Sequence, residues 1–320
     1  MPNSVINVDI PYSMINNTLI VVVGPTAIGK TSLSIELAKH FNCEIASADS
    51  RQFYKEMRIG TAVPSAEELL QAKHHFIQHK SIHENYSVGD FEKDAINKLE
   101  SLFATNNYAI LVGGSGLYVD AVTKGLDSFP KVPKDVREQL QRAYKEEGIV
   151  YLQNQLKKLD PVYYEKVDIH NTHRVMRALE ICISTNKPYS SFITQPKKKR
   201  PFKIIKIGIT AERPTIYDRI NQRVDIMVEE GLLTEVKSLY PFKELNALNT
   251  VGYKEIFNYM DGIWDLDFAI SEIKKNTRRF AKRQLTWFRK DKEIHWFDYE
   301  TSKEHIIETI QNFSQNKNNY

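Results

Sequence analysis

The run Leu19-Ile20-Val21-Val22-Val23 is apolar without alternation, the pattern of a strand covered on both faces. Further strand signals follow at Cys43–Ala48, Tyr108–Val112, Lys203–Ile209 and Glu293–Asp298, while 3.6-residue periodicity predicts helices over Thr31–Phe41, Pro214–Glu230 and Leu266–Lys290. Strands alternating with helices predict an α/β fold, a parallel sheet flanked by helices with right-handed crossovers. From Leu117 to Pro201 the pattern changes: Val136–Tyr144, Val150–Leu159 and Arg174–Ser184 read as helices, with no convincing strand. Two half-sheets would leave unpaired edges, so the simplest organisation is one α/β core interrupted by an all-helical insertion. Residues 1–116 then begin the core, 117–201 form the insertion, and 202–320 complete the core with basic C-terminal helices.

Composition changes this picture little. The 320 residues suffice for one large core, or a core plus a smaller domain. No apolar stretch approaches the ~20 residues a membrane span needs, and Met1–Asn17 lacks a charged start followed by an apolar segment. A cytoplasmic protein without membrane association is expected. Cys43 and Cys182 read as reduced thiols with no disulfide partner. His74, His75, His79 and His83 lack the companion cysteines or the i,i+4 pair around a glutamate that zinc sites use.

Charge distribution says more than its sum of +4. Between Lys274 and Lys292 stand nine Lys or Arg residues and one acid, Asp291. On a helix, Lys275, Arg278, Lys282 and Arg289 share one side, and Ile273, Phe280 and Trp287 another. A polyanion-binding surface and a solvated outer face are the two readings. Lys197-Lys198-Lys199-Arg200, between Pro196 and Pro201, reads as a solvated linker.

The chemistry begins where the first strand ends. Gly24-Pro25-Thr26-Ala27-Ile28-Gly29-Lys30-Thr31 fits the phosphate-binding loop, glycine, four residues, then Gly-Lys-Thr, between a strand and a helix. Backbone N–H groups and the positive end of the helix dipole would hold the anion, Lys30 would neutralise its oxygens, and the Thr31 hydroxyl would hold magnesium. This makes the sheet one of the P-loop NTPase-like class, and such a loop fits ATP or another nucleotide as readily as any other diphosphate. Asp49-Ser50-Arg51-Gln52 and Gly113-Gly114-Ser115-Gly116 end the next two strands, so they share the loop's rim of a parallel sheet. Asp49 there can be a proton acceptor or a magnesium-associated carboxylate.

In these residues the chain resembles the transfer RNA dimethylallyltransferases, also called transfer RNA isopentenyltransferases, of the bacterial type without a zinc-finger extension. Besides the loop, the landmarks are Ala48–Gln52, Arg58-Ile-Gly-Thr61, Leu111–Tyr118, His173–Glu180, Arg223-Val-Asp225, Val251-Gly252-Tyr253 and Arg283-Gln284-Leu-Thr-Trp287. The resemblance implies transfer of a dimethylallyl group from its diphosphate to the exocyclic amine of an adenosine beside the anticodon, with Mg2+ as cofactor. It implies that Thr26 contacts the bridging oxygen and that Arg223, which alone reads as a surface salt bridge, adds charge on the diphosphate. It favours Asp49 as the base. It assigns Ser50, Arg51 and Gln52 to the acceptor nucleotide, and Ser115, where many relatives carry threonine, with Arg137, Arg174, Arg177, Gly252, Tyr253, Lys282, Arg283 and Gln284 to further RNA contacts. A paired or stacked base cannot reach a recessed carboxylate, so the adenosine must be turned out of its loop. A monomer is expected. Competing readings are a small-molecule P-loop kinase, an adenylate-type isopentenyltransferase acting on free nucleotides, and a non-catalytic RNA-binding nucleotide switch.

Overall fold

The first apolar run lies at the centre of a six-stranded, all-parallel sheet. A computed structural model describes residues 17–193 and 199–315. The expectations for the stretch before Asn17 and for Lys197 and Lys198 lie outside these residues.

The first part of the chain runs β1 (Thr18–Val23), α1 (Lys30–Phe41), β2 (Ile45–Ser47), α2 (Ala66–Gln71), β3 (His74–His75), α3 (Val88–Phe103), β4 (Tyr108–Gly113) and α4 (Gly116–Lys124). The middle is helical: α5 (Lys134–Leu159), α6 (Pro161–Tyr164) and α7 (Thr172–Thr185). The chain then adds β5 (Lys203–Thr210), α8 (Arg213–Glu229), α9 (Leu232–Leu239), α10 (Tyr253–Met260), α11 (Leu266–Phe288), β6 (Ile294–Asp298) and α12 (Lys303–Gln315).

Strand order is β3-β2-β4-β1-β5-β6. Thr18 of β1 stands between Tyr108 of β4 and Lys203 of β5, so both edges of β1 are paired. Its side chains alternate between two cores. Leu19, Val21 and Val23 pack with Phe91, Leu99 and Val119 of α3 and α4, whereas Ile20 and Val22 pack with Leu37, Ile216 and Ile310 of α1, α8 and α12. Burial on both faces explains the unbroken apolar run. Each such side chain contributes about 1.5–3 kcal/mol, which outweighs propensity in fixing the sheet's centre.

The α3 helix, which the periodicity reading omits, starts at a capping box between Ser87 and Asp90 and buries Phe91, Ala95, Leu99 and Leu102 at helical spacing. The two histidines of β3 form a short edge strand on β2. Among the described residues no three potential metal ligands of the His, Cys, Asp or Glu type gather, and no helix is long and apolar enough to cross a membrane. Cys43 and Cys182 are free thiols.

The chain divides into two compact units, one of residues 1–124 and 200–320, the other of residues 125–199. The second is all-helical around Leu140, Leu152, Leu156, Val175 and Leu179. Its two predicted N-terminal helices are the halves of α5, broken at Gly148, whose φ of 75° and ψ of −174° lie outside the helical region. The unit is shorter than the predicted 117–201, because α4 buries Val119, Ala121 and Val122 in the sheet unit. Arg200 is not a solvated linker residue: its guanidinium donates to the carbonyls of Ala121 and Val122 and pairs with Glu92.

Candidate active site

Strand order reverses at β1, since the chain first builds outward on the β4 side and only later on the β5 side. In such sheets the crevice beyond the strand ends at the reversal is the natural ligand site. Here it is a cleft of about 820 Å³, lined by the phosphate loop, the ends of β2 and β4, residues 58–65, and α8.

The loop is shaped for an anion. Gly29, at φ 105°, turns the chain into α1, and no side chain caps the helix or places an acid in its first turn. The first helical bond runs from Leu33 N–H to the Gly29 carbonyl, so the N–H groups of the preceding turn have no helical acceptor. Lys30 Nζ donates to the Pro25 carbonyl at 2.7 Å, and Arg219 Nε donates to that of Ala27 at 2.8 Å. Gln284 Oε1 accepts the Thr26 N–H at 2.9 Å.

Electrostatics agree. Loss of hydration pulls the Lys30 ammonium down to about 8, with Asp49 opposing the shift and Arg223 adding to it. Arg223 is lowered by burial, against the pull of Asp49 and Glu68. Two cations thus press on one shared carboxylate, an excess that an anion relieves. Gly24 and Pro25 are buried behind the loop, whereas Thr26, Ala27, Ile28, Gly29, Lys30 and Thr31 all border the cleft. As metal donors the cleft has the Thr31 hydroxyl and isolated carboxylates such as Asp49, no three-ligand cluster. That sparse oxygen set fits Mg2+, which keeps waters and binds through one or two protein oxygens plus substrate phosphates.

Asp49 and Gln52 share the cleft. Asp49 N–H donates to Ser47 Oγ at 3.3 Å, and one carboxylate oxygen accepts Arg51 N–H at 3.2 Å. Gln52 Nε2 donates to the carbonyls of Thr61 and Ala62 at 3.3 and 2.8 Å, tying the end of β2 to the loop opposite. Ser50 and Ser115 meet beside them, N–H to Oγ at 3.1 Å and Oγ to Oγ at 3.2 Å. Arg51 reaches the Ala247 carbonyl at 2.9 Å.

Several expected RNA contacts are placed otherwise. Gly252 and Tyr253 are buried, and the Tyr253 hydroxyl donates to Glu235 at 2.7 Å, so its ring is not a surface contact. Gln284 is also buried, with both ends of its amide bonded to backbone, Thr26 N–H and the Gly114 carbonyl. In the helical unit Arg137 and Arg177 share Glu180 at 2.6 and 3.0 Å. Burial pushes Glu180 up, but bonds from these two arginines outweigh it and hold the carboxyl ionised. The trio keeps one net positive charge, and Arg174 remains exposed one turn away. On α11, Lys274 pairs with Asp225, Lys275 with Glu272, and Arg278 bonds Asn221 of α8. Lys282, Arg283, Arg289 and Lys290 are exposed with no acidic partner among the described residues.

Two residues that shape the site escape sequence reasoning. Arg219 precedes Arg223 by one helical turn, a spacing that could have marked it. Glu235 lies outside the cleft lining, on the amphipathic α9, where it holds residues 58–60, and carries no such signal.

The family model described as IPP transferase matches residues 52–291. A tRNA dimethylallyltransferase of Christiangramia forsetii is 62% identical, covering 92% of this chain and 98% of the relative, and one of Flavobacterium psychrophilum is 60% identical over 92% and 98%. Among solved structures, the tRNA isopentenylpyrophosphate transferase of Bacillus halodurans has 40% identity and a TM-score of 0.69, covering 93% of this chain and 95% of that one. A eukaryotic dimethylallyltransferase acting on tRNA has 26% identity and a TM-score of 0.81, covering 94% and 80%. With a loop shaped for an anion, an adjoining carboxylate and relatives matched along nearly its whole length, this chain belongs to the IPP transferase family of tRNA dimethylallyltransferases.

Proposed function

We propose that this chain transfers a dimethylallyl group from dimethylallyl diphosphate to N6 of the adenosine on the 3′ side of a tRNA anticodon, releasing diphosphate. The observation that carries this reading is the placement of Asp49 beside Lys30 and Arg223, a proton acceptor against an anion cradle. The donor's diphosphate lies on the N–H groups of residues 27–31, with Lys30 and Arg223 on its oxygens and the Thr26 hydroxyl at the bridging oxygen. The Thr31 hydroxyl would hold magnesium, which would supply further positive charge against the leaving group.

Adenine N6 is a weak nucleophile because its lone pair is delocalised into the ring. As the N6–C bond forms and the allylic C–O bond breaks, Asp49 accepts the N6 proton, and the bonding pair leaves on the diphosphate. Preorganised cations at the departing oxygens are the main source of rate. Ser50, Arg51, Gln52 and Ser115 border the position of the turned-out adenosine. Lys282 and Arg283, with Arg137, Arg174 and Arg177 of the helical unit, are taken as phosphate contacts on the anticodon stem-loop. The enzyme is read as a cytoplasmic monomer. Incubation with dimethylallyl diphosphate and unmodified tRNA, followed by mass spectrometry of digested nucleosides, tests the reaction. Prenylated adenosine is expected; phosphorylated product from ATP instead would support a kinase.

A further inference from the structure

Gln284 lies on the helix that carries Lys282 and Arg283, yet it points inward. Its Oε1 accepts Thr26 N–H at 2.9 Å and its Nε2 donates to the Gly114 carbonyl at 3.0 Å. Only 5% of the residue is exposed. Thr26 belongs to the phosphate loop and Gly114 to the turn that presents Ser115. One side chain on α11 therefore joins two of the strand-end segments at the cleft. We propose that Gln284 is a positioning residue for the transfer reaction, locking the donor loop and the acceptor-side turn to α11, rather than a residue that touches RNA.

Three features support this. Thr26 N–H is occupied by Gln284, so the diphosphate must be held by the later N–H groups of the loop while Thr26 itself is oriented from behind. An amide is suited to the position because it supplies an acceptor and a donor on one planar group, matching an N–H on one segment and a carbonyl on the other. Gly114 leaves the room: a Cβ there would overlap Gln284 Nε2 and would lie 4.0 Å from Lys30 Nζ. The clamp thus sits directly against the charged floor of the cleft.

The inference rests on the proposed prenyl transfer and makes three measurements separable: affinity for an anticodon stem-loop RNA, affinity for dimethylallyl diphosphate or inorganic pyrophosphate, and the single-turnover transfer rate. Gln284→Met keeps length and volume but removes both hydrogen bonds. It should leave RNA affinity within about twofold, weaken the diphosphate ligands several-fold, and slow transfer by roughly 10–100-fold, as loss of about an ångström of positioning does. Gly114→Ala attacks the same bond from the other side and should give the same pattern. The Gly114→Ala/Gln284→Ala double variant should be no slower than Gln284→Ala alone, because the methyl enters the space the amide vacates.

A loss of RNA affinity with unchanged donor affinity would make Gln284 an RNA contact and overturn the inference. Unchanged rates in both single variants would overturn it as well. Should Gln284→Met fail to fold, Gly114→Ala and the double variant decide the matter through the same ratios. An inactive wild-type protein would sink the proposed reaction alone, since the pyrophosphate titrations would still report whether the clamp shapes the loop.

Discussion

The Tyr253 hydroxyl donates to Glu235 Oε1 at 2.7 Å, and that carboxylate also accepts the backbone N–H groups of Arg58, Ile59 and Gly60 at 2.9, 2.7 and 3.0 Å. One side chain on α9 therefore fixes a segment that lines the cleft. Burial, then the Glu235 charge, pushes the Tyr253 hydroxyl far up, so it stays a donor. Glu235→Ala strands all four donors and should cost about 2–4 kcal/mol of stability, with Tyr253→Phe milder at about 1 kcal/mol. Denaturant midpoints of both variants and their double should reveal coupling; strict additivity would show that the two groups act independently.

Asp49→Asn should bind dimethylallyl diphosphate as well as the parent or better, because it removes the negative charge that acts on both Lys30 and Arg223. Transfer should slow by about 10²–10⁴, the usual cost of losing a general base. Donor titration and single-turnover kinetics check both halves. Near-normal turnover would mean that another group takes the proton.

The Lys30 value of about 8 sets a pH dependence. Below about pH 8 the free enzyme holds an ammonium ready for the diphosphate. Above it, binding must first recruit a proton, so donor affinity should fall by about tenfold per pH unit as pH rises through this range. The bound anion raises the lysine's pKa, so kcat should persist to higher pH than kcat/KM. Donor affinity that holds flat to pH 10 would show that Lys30 is charged throughout.

Arg223→Ala removes charge from the diphosphate end and should cost about 2–4 kcal/mol of transition-state stabilisation. Arg219→Ala acts through the loop carbonyl of Ala27 and should weaken donor binding more than it slows bound substrates. Kinetics in both substrates separate the two arginines. Unchanged kinetics in Arg223→Ala would mean that its charge does not act on the diphosphate.

The pairing pattern on α11 divides its basic face. Replacing Lys282, Arg283, Arg289 and Lys290 by alanine should flatten the salt dependence of tRNA affinity, by about 0.7–0.9 in the log–log slope per lost phosphate contact. Replacing Lys274, Lys275 and Arg278, which already have partners, should change it little. Equal slopes in both sets and the parent would make the whole face a solvated one.

What could be read from the chain follows distance along it. The phosphate loop, its flanking strand and helix, and Asp49 at the next strand end are local patterns, and the structure assembles them at one cleft. The two residues of β3 are too few to show a period. Gln284 and Tyr253 sit in stretches that the resemblance reads as RNA-facing, and no spacing rule reaches their partners: 170 residues separate Gln284 from Gly114, and 18 separate Tyr253 from Glu235. Arg278 likewise reads as a free cation until α8 brings Asn221 to it, 57 residues away in sequence.

The position of β1 bears on how the protein is made. Its β4 edge can pair once the first third of the chain has left the ribosome, but its other edge waits for Lys203–Thr210, beyond the whole helical unit. During that interval the nascent chain holds an unbroken aliphatic strand with one open edge, the feature that recruits foreign strands. A transcript truncated near residue 200 would yield a product fixed in that state, and ribosome stalling within the helical insertion would expose the cell to aggregation rather than to a smaller enzyme.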